Sequence, residues 1–371
     1  MKIAYTISGL YNSGGMENIL IQKANYLADI LGYNITIITT DQKNHPTFFP
    51  ISKNIELIDL GINYCDAKSS HLWHLKKYLL KNNHKQSLAD LLYKKQFDIV
   101  ISLMDFDFSF LHSLKDGSRK ILEYHFAKYS KVNATNNKLK KFLQRVRIER
   151  WSTIVSKYEK FIVLTYEDKN QWKNLKNISV IPNFINSIPN IQAQLANKRV
   201  ISVGRADFQK GFDVLIDAWK FVHDSHPDWE LNIIGGGEKQ HLYDQIKELK
   251  LSKSIKLLPP TKDIGKEYAN SSLYVMSSRY EGLPLVLLEA MSFGLPIVSF
   301  DCPCGPKDIL KPTYSTLVKS GDIRALANAI IEWISDIDRR IYAGNKAREE
   351  ANLYLKDQIM NIWDNLFKSL K

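Results

Sequence analysis

With 371 residues, of which 44% are hydrophobic and 24% are charged, the chain has the composition of a folded protein and suits two α/β domains with a cleft between them. This composition excludes a disordered chain, and no apolar run approaches the roughly 18–20 residues that span a bilayer. The formal net charge of +12 is compatible with nucleic acid, anionic lipid or a phosphorylated substrate, so the distribution of the charges has to decide between them.

The N-terminal segment and the cysteines favour a cytoplasmic protein. Gly14 and Gly15 are among the residues that interrupt the first twenty positions, where a signal peptide would be continuously apolar. Cys65 stands alone, and Cys302 and Cys304 are too close in sequence for a relaxed disulfide. No further Cys or His lies near this pair at zinc-ligand spacing, so we expect no zinc site.

Strands and helices alternate along the first half of the chain. A buried strand opens it, a glycine turn follows at Ser13-Gly14-Gly15, and a helical pattern then runs through Ile19 and Leu27. The strand candidates are KIAYTISG (2–9), NITIITT (34–40), FDIVISL (97–103), KILEYHF (120–126) and KFIVLT (160–165). Helical stretches separate several of them, which indicates a parallel sheet.

A Pro- and Asn-rich loop at 181–190 divides this series from a second one. The second series of strand candidates is KRVISVG (198–204), WELNIIG (229–235), SIKLLP (254–259), LYVMSS (273–278) and PIVSF (296–300). We therefore place a domain boundary in the loop. Apolar positions between Leu355 and Leu370 then predict a terminal amphipathic helix.

The segment SRYEGLPLVLLEAMSFGLPIVS (278–299) carries the most specific pattern. Glu281 follows a strand, and a tight loop leads into a predicted helix over 285–291 whose N-terminus, with its unpaired N–H groups, suits a diphosphate. Glu281 and Glu289 lie eight residues apart, one before the helix and one inside it. This spacing does not form a paired-carboxylate hydrolase site, so we expect them to hold different parts of one ligand.

A second segment, VGRADFQKGFDVLIDAW (203–219), places two cations on a loop between a strand and a helix. Arg205 offers a planar fork of N–H donors and Lys210 a point charge, and together they can neutralise a diphosphate. Taken alone, either residue is equally compatible with an ordinary surface charge.

Together these segments resemble glycosyltransferase family 4, the retaining enzymes with the GT-B fold of two Rossmann-like domains facing across a cleft. The resemblance covers nearly the whole chain, and its most specific part is the pair of acids at Glu281 and Glu289. It implies an acceptor-side domain at 1–185, a nucleotide-sugar-binding domain at 186–354, and a C-terminal helix at 355–371 that returns to the N-terminal domain.

The resemblance also implies roles for the matching residues. Glu281 would hold hydroxyls of the donor sugar, Glu289 the nucleotide ribose, and Arg205 and Lys210 the diphosphate. His125 would lie beside the donor sugar, the alternative being a hydrogen-bonded structural histidine. The implied catalytic set is Glu281, His125, Arg205 and Lys210, and the implied donor-binding set is Gly14, Gly15, Gly204, Arg205, Lys210, Glu281, Gly282, Leu283, Pro284 and Glu289.

Glycosyl transfer from a nucleoside diphosphate sugar leaves negative charge on the β-phosphate. Arg205, Lys210 and the helix N-terminus can stabilise that charge without a metal. We therefore predict an enzyme without cofactor. We also predict a UDP-sugar as donor, because the segment SRYEGLPLVLLEAMSFGLPIVSFDCPCGP (278–306) resembles relatives that transfer galactose, N-acetylgalactosamine or N-acetylglucosamine. The rival is Asp105-Phe106-Asp107, which matches an acidic metal-binding pattern of other glycosyltransferases. The resemblance implies retention, and front-face attack and a covalent route both stay open.

Two stretches of the first half, 71–85 and 137–151, read as basic amphipathic helices. Such helices attract anionic membrane surfaces or the phosphates of a lipid-linked acceptor, although solvated helix faces are the alternative. The candidate acceptor and membrane residues are Lys76, Lys77, Lys140, Lys141, Arg145 and Arg147. They motivate a polyprenyl-diphosphate-linked acceptor and a peripheral position on the inner face of the cell membrane.

The function expected from the sequence is therefore transfer of a hexose or N-acetylhexosamine from a UDP-sugar to a glycan acceptor in cell-surface polysaccharide biosynthesis, such as capsule or lipopolysaccharide. A GT-B nucleotide-sugar epimerase is the nearest alternative. A basic nucleic-acid-binding protein is the alternative from another class, but the sequence contains no zinc finger or RRM-like signature to support it.

Overall fold

The computed structural model describes residues 1–67, 73–133 and 137–371. Within these ranges the strands form two sheets. The first sheet consists of β1 (Lys2–Ile7), β2 (Asn34–Thr39), β3 (Ile55–Asp59), β4 (Ile99–Ser102), β5 (Arg119–Tyr124), β6 (Lys160–Val163) and β7 (Ile178–Val180). The second consists of β8 (Arg199–Val203), β9 (Glu230–Ile234), β10 (Ile255–Leu258), β11 (Leu273–Met276), β12 (Ile297–Asp301) and β13 (Ser315–Lys319).

Helices connect the strands and cover the sheets. In the first half they are α1 (Gly15–Asp29), α2 (Tyr64–Ala67), α3 (Trp73–Lys95), α4 (Ser130–Asn133), α5 (Lys138–Val155) and α6 (Tyr166–Gln171). In the second half they are α7 (Phe212–Ser225), α8 (Gln240–Glu248), α9 (Ile264–Ala269), α10 (Leu285–Ser292), α11 (Pro306–Ile309), α12 (Ile323–Ser335), α13 (Ile337–Ala351) and α14 (Lys356–Ser369). Short 3₁₀ turns lie at Leu111–Ser113 and Asn352–Tyr354.

Every strand pairing is parallel, as the alternation of strands and helices predicts. The strand orders are β3-β2-β1-β4-β5-β6-β7 and β10-β9-β8-β11-β12-β13. Central strands such as β4 are buried at every position, which matches their nearly unbroken apolar sequences. In each sheet the order changes direction once, between β1 and β4 and between β8 and β11. Open α/β sheets bind ligands beyond the carboxyl ends of the strands at such a point.

The last helix packs against the first sheet rather than the second. Ile359, Met360, Trp363 and Phe367 of α14 belong to the same buried cluster as β1, β2 and α1. The backbone of Ile185 makes two hydrogen bonds of 2.9 Å at the start of α14. Its N–H donates to the carbonyl of Tyr354, and its carbonyl accepts from the N–H of Lys356. The amphipathic pattern at the C-terminus thus corresponds to a helix that closes the core of the N-terminal half.

The sequence patterns missed β3, β7 and β13. β3 is buried mainly at its first residue and otherwise half-exposed or exposed, as expected of an edge strand, so its apolar pattern is weak. β7 has only three residues, and β13 is only partly buried. The basic helices are also longer than expected, because α3 reaches Lys95 and α5 reaches Val155. Residues 71 and 72, with which the first of these predicted stretches begins, lie outside the described residues. None of the described helices is long and apolar enough to cross a bilayer.

Candidate functional site

The loops that follow β8 and β11 meet at the carboxyl edge of the second sheet. Gly211 has a φ of 62°, and a Cβ there would lie 2.3 Å from the carbonyl oxygen of Ser277. The Ser277 hydroxyl donates to the carbonyl of Lys210 at 2.9 Å, and the Arg279 N–H donates to the carbonyl of Gln209 at 2.7 Å. Only a glycine permits this approach, which holds the cation-bearing loop against the end of β11.

The approach brings together the two most informative segments of the sequence. The Lys210 Nζ lies 2.7 Å from Oε1 of Glu281, and the Gln209 amide donates to the other oxygen at 3.2 Å. Glu281 is only 6% exposed, so its carboxylate is fixed by these two donors. The nearby Arg205 is exposed, and its guanidinium makes no hydrogen bond or ion pair within the described residues.

The glycine turn after β9 supports the same loop from its other side. A Cβ on Gly235 would lie 1.8 Å from the carbonyl oxygen of Gly204, and Gly235 has a φ of 155°. The Ala206 N–H donates to the carbonyl of Gly236 at 2.7 Å. The loop that carries Arg205 follows β8 and is therefore packed between the ends of the two strands that flank β8, which are β9 and β11.

Glu289 lies on α10, in the helix that begins directly after Pro284. It is partly buried, and the hydroxyl of the fully buried Tyr268 donates to its Oε2 at 2.9 Å. Burial raises the pKa of Glu289, and the Tyr268 hydrogen bond opposes that rise. A solvent-exposed acid on a helix would be neither buried nor hydrogen-bonded to a buried tyrosine. The side chain of Glu289 therefore has a defined position behind the N-terminal turn of α10.

Groups from the first sheet reach the same edge. A Cβ on Gly282 would lie 2.5 Å from the carbonyl oxygen of His125, and one on Gly15 would lie 3.9 Å from Leu285 Cδ1. Gly305, which has a φ of 106°, packs equally closely on the ring of Pro284. The structure therefore places Gly15 and His125 beside the loop and helix that follow β11, as expected for residues of one cleft. Gly15 is the first residue of α1, and Gly14 precedes it.

The family comparison bears on this cleft directly. The family described as "Glycosyl transferases group 1" matches residues 185–350. An uncharacterized glycosyltransferase of Haemophilus influenzae is 30% identical over 373 residues, which cover 98% of this chain and 99% of the relative. The chain belongs to the glycosyltransferases.

Two further similarities place this glycosyltransferase among known ones. The amylovoran biosynthesis glycosyltransferase AmsD of Erwinia amylovora is 30% identical over 324 residues, 84% of each chain. A crystal structure of an S. aureus TarM mutant with fondaparinux, α-GlcNAc-glycerol and UDP superposes with a TM-score of 0.77 at 18% identity, covering 99% of both chains. The two parallel-sheet units therefore form a GT-B fold, which confirms the fold expected from the sequence.

Sequence reasoning missed a buried charge network behind His125. The Lys23 Nζ lies 2.6 Å from Oε1 of Glu123, the same oxygen that His125 Nε2 contacts at 2.9 Å. Burial alone would raise the pKa of Glu123, but attraction to Lys23 and His125 outweighs it and lowers the pKa to about 2. The Nδ1 atom of His125 is buried without a partner in the described residues. The available signal was Lys23 itself, a charged residue on the apolar face of α1.

The two acids after β4 have different surroundings. Asp107 is buried and accepts hydrogen bonds from Thr6 at 2.5 Å and from Ser102 at 2.7 Å. Burial raises its pKa to about 6, against the effect of those hydrogen bonds. Both acids line a small pocket, and Asp105 also lines a larger cavity; burial raises the pKa of Asp105 as well. In the part of the chain that the structure describes, no group of three or more His, Cys, Asp or Glu side chains is placed to hold a metal ion.

The basic helices divide their cations between two surfaces. A cavity of about 750 Å³ lies between α3, α5 and the loop after β4, and Lys77, Lys81 and Arg147 line it together with Tyr280 of the second half. The other cations expected to act with Lys77 and Arg147 lie away from this cavity: they are Lys76, Lys140, Lys141 and Arg145. The six residues therefore do not form a single face, because successive residues of a helix point about 100° apart.

The apolar residues on the outer faces of both helices are exposed instead of packed. Leu75 and Leu79 of α3 are each 58% exposed, and Leu139, Phe142 and Leu143 of α5 are 59–69% exposed. On α5 these residues recur at a spacing of three to four, so they form one apolar stripe beside the outward cations.

Proposed function

We propose that this glycosyltransferase is a retaining, family 4-like enzyme that moves a hexose or N-acetylhexosamine from a UDP-sugar to a glycan acceptor. The observation that carries the proposal is the 2.7 Å contact between Lys210 and Glu281 at the strand-order reversal of the second sheet. It puts a cation for a diphosphate beside a fixed carboxylate that can accept hydrogen bonds from sugar hydroxyls. The UDP bound to TarM, which shares this fold, supports the choice of nucleotide.

In this proposal residues 186–354 bind the donor, residues 1–185 bind the acceptor, and 355–371 complete the acceptor side. Arg205 and Lys210 hold the diphosphate with the backbone N–H groups of Gly282 and Leu283. Gly204, whose N–H donates to the carbonyl of Ile234 at 3.0 Å, and Pro284 shape the two loops around it. The Lys210 ammonium has three donors, so it can contact a phosphate while it keeps Glu281. Glu289 receives the ribose hydroxyls.

On the acceptor side, Gly14 and Gly15 approach the diphosphate from the opposite half, and His125 lies beside the donor sugar. The unpartnered Nδ1 of His125 is one reason for this role, since a buried ring nitrogen needs a hydrogen-bond partner that a sugar hydroxyl can supply. Its Nε2 atom is held by Glu123, which fixes the orientation of the ring.

The proposed reaction is a front-face displacement. The bond between the anomeric carbon and the β-phosphate oxygen breaks, and the acceptor oxygen bonds to the same face of that carbon. The acceptor proton passes to the departing phosphate oxygen, so no protein base is required. Arg205, Lys210 and the N-terminus of α10 stabilise the charge that develops on UDP, and we propose that no metal or other cofactor takes part.

A donor panel tests the nucleotide and the reaction together. We expect UDP and UDP-hexoses or UDP-N-acetylhexosamines to raise the melting temperature, whereas GDP-mannose and ADP-glucose do not. Turnover should continue in EDTA. Selective stabilisation by GDP-mannose would contradict the UDP proposal, and strict dependence on Mn²⁺ would instead implicate Asp105. An epimerase would convert the UDP-sugar without any acceptor, so product analysis with and without acceptor separates the two functions.

For the acceptor we propose a polyprenyl-diphosphate-linked glycan of a surface polysaccharide such as capsule or lipopolysaccharide, reached from the inner face of the cell membrane. The exposed apolar stripe of α5 and the cations beside it support this, because apolar side chains and basic residues together bind anionic bilayer surfaces. Each basic residue near such a surface contributes about 1 kcal/mol, and salt should release the enzyme.

Vesicle sedimentation tests the membrane proposal. Anionic phosphatidylglycerol vesicles should sediment the wild-type enzyme, and neutral phosphatidylcholine vesicles should not. Changing Lys76, Lys140, Lys141 and Arg145 to Gln should abolish sedimentation without changing UDP binding. Equal sedimentation of this variant and the wild type would show that these faces are merely solvated.

A further inference from the structure

The cavity between α3, α5 and the loop after β4 has the size of a ligand site. Its volume of about 750 Å³ lies within the range of roughly 300–1,000 Å³ that is typical for small-molecule pockets. Tyr280, the residue before Glu281, forms part of its wall, and Met16 of α1 forms another part. The cavity is therefore continuous with the edge where the two halves of the enzyme meet.

Aromatic rings form much of the cavity wall. Phe108 and Trp151 pack edge to face with their ring centroids 5.5 Å apart, and Tyr64 and Phe106 stack at 3.9 Å. Both pairs line the cavity. Rings that are fixed by one another present rigid apolar surfaces, on which the C–H face of a sugar ring can lie at little entropic cost.

The charged residues of the wall are mostly cationic. Lys77 and Lys81 lie four residues apart on one face of α3, a spacing at which like charges repel each other. Arg147 faces them from α5. Within the described ranges, the side chains of Lys81 and Arg147 form no hydrogen bond or ion pair. Asp105 is the one acidic residue of the described wall against these three basic residues, and burial raises its pKa.

We infer that this cavity binds the acceptor and selects a saccharide that carries an anionic group, with Lys81 and Arg147 as the residues that recognise the anion. The inference rests on the proposed transfer reaction, since that reaction requires an acceptor to lie next to Glu281. The rings would hold the sugar, and the cations would take a phosphate, diphosphate or carboxylate attached to it. An anion there pairs with the ammonium group of Lys81 and with the guanidinium fork of Arg147.

Calorimetric titration without any donor tests the inference. The probes are N-acetylglucosaminyl diphosphate on a short water-soluble alkyl chain, the neutral alkyl glycoside of N-acetylglucosamine, and a neutral-linked disaccharide that ends in glucuronic acid. We expect one anionic probe to bind at least about tenfold more tightly than the neutral glycoside. Preference for the diphosphate identifies the lipid linkage as the source of the anion, and preference for the glucuronide identifies the glycan.

A pair of matched variants completes the experiment. Lys81→Gln with Arg147→Gln should remove the preference for the anionic probe. Lys85→Gln with Arg150→Gln makes the same charge change on the same two helices away from the cavity, and should keep it. The inference is overturned if the cavity variant retains the preference, if the neutral glycoside binds as tightly as both anionic probes, or if none of the three binds. If UDP does not raise the melting temperature, the proposed function is contradicted. The calorimetric results for the three probes do not depend on UDP and are unaffected.

Discussion

On the C-terminal side of the cleft, Lys210 faces Glu281 at 2.7 Å and Arg279 faces Asp213 at 2.6 Å. On the N-terminal side, Lys81 and Arg147 line a cavity without an ion pair among the described residues, and the apolar stripe of α5 is exposed. The charged side chains of the C-terminal side are thus already paired and held in position, as a site for one small, highly charged ligand requires. The second side leaves charge and apolar surface for a larger partner to cover.

The largest effect is expected at a deeply buried ion pair of the N-terminal side. Lys23 and Glu123 are 1% and 2% exposed, so Lys23→Met leaves a buried carboxylate without its main partner. We expect the free energy of unfolding to fall by about 3–5 kcal/mol in urea denaturation at neutral pH.

Two controls accompany this measurement. Lys198→Met removes an exposed pair with Asp228 and should cost less than about 1 kcal/mol. Adding Glu123→Leu to Lys23→Met should recover much of the lost stability, because no charge then remains buried. If Lys23→Met alone is as stable as the wild type, the buried pair of Lys23 and Glu123 does not stabilise the N-terminal side.

The next effect concerns the donor side. Arg205→Ala should reduce kcat/KM about 100- to 1,000-fold, or roughly 2.7–4 kcal/mol, and should also weaken UDP binding, because the guanidinium is expected to contact the diphosphate. Glu281→Ala should reduce turnover while UDP binding is largely kept. Steady-state kinetics and UDP calorimetry measure the two effects, with Lys220→Ala on the exposed part of α7 as the control. Near-normal turnover of Arg205→Ala would show that another loop holds the diphosphate.

A smaller effect should appear as a pH dependence of stability. The pKa of Asp107 is about 6 in the folded protein against an ordinary value of 3.8, so the folded state binds more protons between these values. Its contribution to the free energy of unfolding therefore falls as the pH rises from about 4 to 6, by about 3 kcal/mol at most.

Asp107→Asn cannot titrate and provides the comparison. The stability of the wild type relative to this variant should decline across that pH window in urea denaturation. A difference between the two proteins that is constant with pH would show that Asp107 is not shifted, and that a charged acid is tolerated at this edge of the first sheet.

The smallest effect on stability is expected on the outer face of α5. Leu143 is 59% exposed, so Leu143→Gln should change the free energy of unfolding by no more than about 0.5 kcal/mol while it weakens binding to phosphatidylglycerol vesicles. Ile148 of the same helix is 3% exposed, and Ile148→Ala should cost about 2–5 kcal/mol. A large loss of stability in Leu143→Gln would mean that the stripe packs against the protein itself.

The pattern of apolar residues determined much of the architecture by itself. Alternating strands and helices predicted two parallel sheets, because a strand buried on both faces and an amphipathic helix each have a local signature. The loop between Arg205 and Lys210, the helix after Pro284 and the terminal helix were also readable, since each depends on residues close in sequence. The edge strands β3 and β7 were not, because a short or half-exposed strand carries little apolar signal.

Tertiary structure alone decided which distant groups meet. Lys23 and Glu123 are a hundred positions apart and pair because β1 lies beside β4 and β4 beside β5, an order that local patterns do not encode. The adjacent residues Lys76 and Lys77 looked equivalent in sequence, yet only Lys77 lines the cavity. Sequence periodicity identifies the apolar face of a helix, whereas the orientation of its polar face toward a cavity or the solvent depends on how the whole helix packs.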